Sequence, residues 1–175
     1  MKTFQIRPAA PDDAFCLSVL ATQVFLEAYA YKGIYPVIAR HVQTTYSLAA
    51  MQDLLRTQTV LLLCDGDALQ GFAQLSPLQQ QDGGQRCELE RLYFLRCFTG
   101  QGLGAALLQA SEECARAMGA DLIWLRAWAG NHGALRFYAR HGWQDVGQTW
   151  FEMEDGRHEN RVMQKVLCAT LKASE

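Results

Sequence analysis

The residues with the types and spacing to do chemistry gather in the second half of the chain. Gly100-Gln101-Gly102-Leu103-Gly104 follows a strand-like run and opens a helix-like one. Successive amides without side chains at a helix N-terminus can wrap a pyrophosphate and meet it with the positive end of the helix dipole. The loop lacks the Lys-Ser/Thr ending of a P-loop and the G-x-G-x-x-G dinucleotide spacing, so a tight turn that only permits close packing is an equal reading of it. Glu88 and Glu90 stand two apart in a strand-like run. Both carboxylates then point to one face, where either can take a proton directly or through water, or be solvated and paired with Arg86 or Arg91. Six cysteines (Cys16, Cys64, Cys87, Cys97, Cys114, Cys168) are scattered singly, with no C-x-x-C pair and no nearby His. That argues against zinc and redox motifs and for buried thiols, although Cys97 beside the glycine loop also has a reactive reading.

Positioning these residues takes an alternation of strands and helices. Phe4 and Ile6 alternate as a strand; Pro8, Pro11 and Asp12 mark a turn and a helix start. Apolar residues from Phe15 to Leu26 recur at helical spacing and end near Tyr29, Tyr31, Tyr35 and Pro36. A second helical region lies within Val37 to Leu55. Strands are expected over Thr59 to Cys64 and Leu69 to Leu75, joined by Asp65-Gly66-Asp67. Gln79 to Gln85 reads as a surface loop, followed by a strand from Cys87 to Leu95. A helix with Leu103, Leu107, Ala110, Cys114 and Met118 on one face then stops at Gly119. Leu122 to Trp128 is nearly all apolar and reads as a strand buried on both faces, parallel to a neighbour. Asn131 caps a helix with the stripe Ala134, Phe137-Tyr138 and His141, ended by Gly142. Two last strands, Trp143 to Met153 and Arg161 to Leu167, meet at Asp155-Gly156. The class is α+β with a parallel crossover in the second half.

The chain has 175 residues, 50% of them hydrophobic and 19% charged. That suits one domain, residues 1–175, burying about 70% of its unfolded surface. Sixteen Lys and Arg against 18 Asp and Glu give a net charge of −2, which suggests neither a nucleic-acid partner nor a disordered tail. No apolar run approaches a membrane span, and nothing at the start reads as a secretion signal, so a cytoplasmic protein is expected.

The stretch Glu88-Leu89-Glu90-Arg91-Leu92-Tyr93-Phe94, the glycine loop, Ile123-Trp124-Leu125, Asn131, and Ala134 to Trp143 with Phe137-Tyr138 together resemble the GNAT superfamily of acetyl-CoA-dependent N-acetyltransferases. The match runs from about Glu88 to Gly147. It implies a central mixed, mostly antiparallel sheet with a parallel pair splayed at its centre and helices on both faces. It also implies acetyl-CoA as co-substrate, with no metal. The amides of Gly100, Gln101, Gly102, Leu103, Gly104 and Ala105 would hold the pyrophosphate, and the edge of Leu92, Tyr93 and Phe94 would pair with pantetheine as an added strand. Thr99 stands where the family usually has Gln or Arg, which implies weaker phosphate contacts. Asn131 would contact the pantetheine arm, unless it serves only as an N-cap. Tyr138 matches the family's tyrosine acid that protonates the departing thiolate; a core tyrosine is its alternative.

Because an amine attacks a thioester only when unprotonated, the reaction needs a base. Glu90, nearer the splay, comes before Glu88. A backbone N–H of Leu92 or Tyr93 would meet the developing oxyanion, an effect worth roughly 3 kcal/mol. His132 and His141 read as caps or exposed side chains, and Arg136 and Arg140 as a solvated face that could reach CoA phosphates. Phe25, Tyr29, Tyr31, Tyr35 and Glu27 suit a small cationic amine. Trp150-Phe151-Glu152-Met153 and Ile123 to Trp128 look like the bacterial branch that includes spermidine/spermine N-acetyltransferases. The expected function is direct acetyl transfer to a primary amine of a small molecule or polyamine. A protein N-terminal or lysine acetyltransferase, and a non-catalytic acyl-CoA-binding module, are the alternatives. Tyr138 and the glutamate pair favour an enzyme, and many relatives form homodimers.

Overall fold

Short-range signals decide where the first elements begin and end. Phe4–Pro8 forms β1, and Pro11–Asp13 a single 3-10 turn that leads into α1, Ala14–Tyr29. Asp13 ties this entry together: its carboxylate accepts from the Ala10 amide at 2.7 Å and from both terminal nitrogens of Arg7 at 2.7 and 2.8 Å. The helical run after Pro36 is two helices, α2 (Pro36–Thr45) and α3 (Leu48–Thr57), broken at Tyr46, because the Ser47 hydroxyl takes the Ala50 amide and starts a new helix. β2 (Thr59–Asp65) and β3 (Ala68–Leu75) form the expected hairpin around Gly66, and β1 adds to β2 antiparallel.

The structure is a computed structural model describing residues 4–30, 32–96, 100, 102–153 and 156–167; the readings placed on Tyr31, Cys97, Thr99, Gln101, Asp155 and Cys168 fall outside these residues. The remaining elements are β4 (Gln79–Gln81), β5 (Gly84–Phe94), α4 (Leu103–Met118), β6 (Leu122–Trp128), α5 (His132–Arg140), β7 (Gln144–Met153) and β8 (Gly156–Val166). Paired neighbours run in the order β1-β2-β3-β5-β6-β8-β7, with β4 also on β5. β5 and β6 are parallel, and the other registered ladders are antiparallel. The class is α+β, as expected.

By backbone contacts the chain divides into two units, Met1–Leu75 with Arg91–Ala110, and Ser76–Glu90 with Ser111–Glu175. In the first, α1 buries Leu17, Leu20, Ala21 and Phe25 among Met51, Leu54, Val60, Leu62 and Phe72. Fully burying each such side chain contributes about 1.5–3 kcal/mol. Gly71 admits a close backbone approach there, since a Cβ would lie 2.6 Å from the Tyr93 carbonyl oxygen. In the second, Cys87, Leu89, Ala115, Ile123, Leu125, Trp143 and Met163 are buried. A polar staple ties its elements: Glu112 on α4 accepts from Trp143 Nε1 at 2.8 Å and from Lys165 Nζ at 2.6 Å.

Several expectations are corrected. Gln79 to Gln85 is a hairpin rather than a plain loop, because Asp82-Gly83 takes positive φ at both positions (52° and 81°), the geometry of a tight two-residue turn. β6 is buried on one face only. Ile123 and Leu125 point inward, while Arg126 and Trp128 are exposed, because β6 lies between β5 and β8 with just one face covered. β8 starts at Gly156 rather than Arg161, carried by pairing with β7. Cys16 is exposed rather than buried; Cys64 and Cys87 are buried thiols.

The hydrogen bonds from Arg7 hold the Asp13 carboxyl below its usual range against a smaller opposing effect of burial. A depressed carboxylate contributes stability that is present above the unfolded-state pKa and lost as pH falls through the folded one. Asp13→Asn is expected to cost about 1 kcal/mol at pH 7, limited by the part-exposed Arg7. In urea denaturation the difference from the wild type should shrink towards zero as pH falls from 7 to about 2.

Candidate active site

The loop before α4 has the conformation that only glycine adopts freely: Gly100 and Gly102 have φ of 84° and 78°. The Gly102 carbonyl accepts from the Ala106 amide at 3.0 Å. Helical bonding therefore starts at Ala106, and the amides of Leu103, Gly104 and Ala105 precede the first intrahelical bond, where a helix presents donors to an anion. Leu92, Tyr93 and Phe94 are half-buried in β5. The registered pairs of β5 with β6 are Arg86–Leu122, Cys87–Ile123 and Glu88–Trp124. They stop there, although β5 runs on to Phe94 and β6, paired with β8, to Trp128.

Glu88 and Glu90 lie in the second unit and differ in surroundings. Glu88 is 6% exposed and ion-paired with Arg126, Nε and Nη2 donating to Oε1 at 2.9 and 2.8 Å. Burial pushes its carboxyl pKa up, Arg126 pulls it down, and the nearby Glu90 adds a smaller push upward. The partner is thus Arg126 rather than Arg86, which pairs with Asp82, or Arg91. Glu90 is half-buried. Arg126 also lies 5.5 Å from the centre of the Trp124 ring. Sequence reasoning missed it; the alternation Trp124-Leu125-Arg126 facing Glu88-Leu89-Glu90 is the signal that could have found it.

Asn131 Oδ1 accepts from the Ala134 amide at 3.1 Å and so caps α5. The cap starts the helix that carries Tyr138, which is 8% exposed, with its ring 5.4 Å from Phe137 and 5.6 Å from Trp143. Trp143 is pinned by Glu112, so the wall of the tyrosine is fixed from behind. His141 closes α5, with its Nδ1 2.8 Å from the Phe137 carbonyl, while His132, Arg136 and Arg140 are exposed. Among the described residues no group of three or more His, Cys, Asp or Glu is placed to hold a metal ion.

The first unit holds an aromatic cluster only partly foreseen. Phe25 stacks on His41 at 4.7 Å and meets Tyr29 and Tyr46 at 4.8 and 5.5 Å. The hydroxyls of Tyr46 and Tyr93 are 3.5 Å apart. Arg91 lies 5.5 Å from the centre of the Tyr46 ring and donates to Gln74 Oε1. Burial and the charge of Arg91 push the His41 pKa down, and burial pushes the Tyr93 phenol well up. Tyr35 is exposed. Glu27 Oε1 accepts from Gln23, whereas its Oε2 is buried with no hydrogen-bond partner.

The profile of the Acetyltransferase (GNAT) family matches residues 29–143. An uncharacterized N-acetyltransferase of Mycobacterium bovis is 30% identical over 125 residues, covering 70% of this chain and 77% of that protein. Another, in the pepI 3′ region of Lactobacillus delbrueckii subsp. lactis, is 32% identical over 80 residues, and the match spans 46% of each chain, about half the length of that relative. Among solved structures, the PaiA N-acetyltransferase from Thermoplasma acidophilum in complex with coenzyme A is similar with a TM-score of 0.73 and 19% identity, covering 94% of this chain and 99% of that one. The YncA acetyltransferase from Salmonella typhimurium with acetyl-CoA gives 0.71 and 21%, covering 94% of each.

Arg126→Met should push the Glu88 carboxyl pKa further up, since burial then acts without the opposing guanidinium. Carbon-13 NMR titration of glutamate carboxyls reads this directly. A Glu88 signal that titrates no higher in the variant would show that the ion pair does not govern it.

Proposed function

The chain belongs to the acetyltransferase (GNAT) family, and from that premise we propose that it is an N-acetyltransferase moving an acetyl group from acetyl-CoA directly to a small primary amine. The observation that carries the reading is the join of a glycine turn at positive φ to the N-terminus of α4, directly after a strand whose ladder with β6 ends at Glu88. The donors there fit the co-substrate: the amides of Leu103, Gly104 and Ala105 suit a pyrophosphate, and Leu92, Tyr93 and Phe94 offer strand backbone to pantetheine. Gly100, Gly102, Thr99 and Gln101 would complete the loop, and Asn131 would touch the pantetheine arm.

Bound acetyl-CoA supplies the acetyl group in activated form, as a thioester. Glu90 takes the proton of the attacking ammonium, leaving a lone pair on nitrogen. A backbone N–H of Leu92 or Tyr93 donates to the oxygen on which charge develops. As the C–N bond forms and the C–S bond breaks, Tyr138 donates its phenol proton to the sulfur, the proton that the nitrogen sheds in becoming an amide returns through solvent to the phenolate, and Glu90 releases the first proton to solvent. Glu88, neutralised by Arg126, fixes the local field rather than carrying the proton. Glu27 Oε2, buried and unpartnered, supports an acceptor with a cationic amine. The reaction is assigned to the cytoplasm, in keeping with unpaired thiols at Cys64 and Cys87 and with the lack, among the described residues, of any helix long and apolar enough to cross a membrane.

The test is thiol release from acetyl-CoA with a panel of polyamines, amino acids and peptides. Release with small amines is expected. Release with peptides alone would favour a protein acceptor, and tight acetyl-CoA binding without release would favour a binding module. Tyr138→Phe should lower kcat about 100-fold, the scale of a lost general acid, and leave the acetyl-CoA Kd within about threefold. An unchanged kcat removes Tyr138 from the mechanism.

A further inference from the structure

Arg91 is a half-buried guanidinium that has no carboxylate within ion-pair distance among the described residues. Among the described residues its side-chain hydrogen bond goes to the neutral Gln74 Oε1, and Gln74 Nε2 donates to Gln58 Oε1 at 2.8 Å. The Tyr46 ring, from a residue 2% exposed, backs the guanidinium. A guanidinium carries five N–H donors in a rigid fork, so one bond and one ring leave most of the fork unused.

The groups around it are donors as well. Tyr46 and Tyr93 share one hydrogen bond between two phenols, so one phenolic proton is left for another acceptor. Burial raises the Tyr93 pKa, which keeps that phenol protonated. His41 is held neutral near pH 7 by burial and by Arg91, and a neutral imidazole still donates from one nitrogen. Fork, phenol and imidazole together match a planar anion and offer no place to a cation. Elsewhere in the same unit, Glu27 Oε2 has the complementary lack, a buried acceptor with no donor.

We propose that Arg91 is the seat of a carboxylate on the acceptor, so that the preferred substrate is a primary amine that also carries a carboxylate, of the amino-acid type, rather than a polyamine. This rests on the acetyl-transfer reading above. Arg91 directly precedes Leu92 and Tyr93 in β5, the residues whose backbone the acetyl-transfer reading gives to the thioester arm, so the anion seat and that backbone belong to one stretch of strand. Arg91 acts here on specificity; nothing in the transfer of the acetyl group passes through it.

Lysine and cadaverine test the idea, since they share the terminal amine and chain length and differ in the carboxylate. With the full chain and acetyl-CoA, kcat/KM for lysine is expected to exceed that for cadaverine about tenfold or more. Arg91→Gln should collapse that ratio towards one, chiefly through the KM for lysine, and Arg91→Lys should restore part of it. A wild-type preference for cadaverine, or a ratio that Arg91→Gln leaves unchanged, overturns the proposal. Should neither amine be acetylated, the small-amine reading fails, and the seat is read by titrating N-acetyl-lysine and its amide against tyrosine fluorescence. Carboxylate-dependent saturation that Arg91→Gln abolishes upholds the seat, and equal response to acid and amide, or none, overturns it.

Discussion

The peptide groups of β5 set the terms for everything around them. A buried backbone donor or acceptor without a partner costs about 1–3 kcal/mol, so a strand that leaves its ladder must find other partners or meet a ligand or water. On one side, β5 is tied at Glu88, whose carbonyl accepts from the Ser76 amide at 2.9 Å, and at Leu95, whose amide donates to the Gln70 carbonyl at 2.9 Å. On the other, its parallel ladder with β6 is three residue pairs long. The glycine turn and the first amides of α4 come next along the chain and add more donors ahead of their own helical bonds. Peptide groups beyond the registered β5–β6 pairs and ahead of the helical bonds of α4 thus fall in neighbouring segments of the chain.

Side chains on β5 divide the remaining work. Glu88 is ion-paired with Arg126, whose guanidinium pulls the carboxyl pKa down against the larger upward push of burial. Glu90, two residues on in the same strand, is half-buried. Behind Tyr138, the Trp143 indole and Lys165 converge on Glu112, and Lys165 donates also to the His141 carbonyl at 2.9 Å. That carboxylate joins α4, β7's entry and β8, and gives the tyrosine a rigid wall rather than a mobile one.

How much of this was legible depended on whether the signal was local. The β2–β3 hairpin, the glycine turn, the Asn131 cap and the α+β class are written in turn residues, periodicity and caps, and they were readable. The Gln79–Gln81 hairpin was missed because its strand is polar throughout, although Asp82-Gly83 announces the turn. The break at Tyr46 falls in the region Val37 to Leu55, whose irregular apolar spacing leaves helix boundaries open, and the Ser47 cap is what divides it. β6 misled for a different reason: Trp124 and Trp128 count as apolar, yet they stand on the face of Arg126. Arg126 and Glu88 are 38 positions apart, as Arg91 and Tyr46 are 45 apart, and no spacing rule reaches so far.

Arg91 shows why the long-range part matters most. A protein that needed this position only for packing would do as well with an aliphatic side chain, because a half-buried cation loses hydration that one amide and one ring only partly return. A structural arginine ordinarily recovers the difference from a carboxylate, as Arg7 does with Asp13 and Arg161 with Asp145, each through two hydrogen bonds. Among the described residues Arg91 has no such counter-ion. On the proposal above a carboxylate from the acceptor supplies that counter-ion, and the phenols and imidazole beside Arg91 favour an acceptor of hydrogen bonds there. A polyamine, all donors and positive charge, would meet repulsion at that point; a carboxylate completes it.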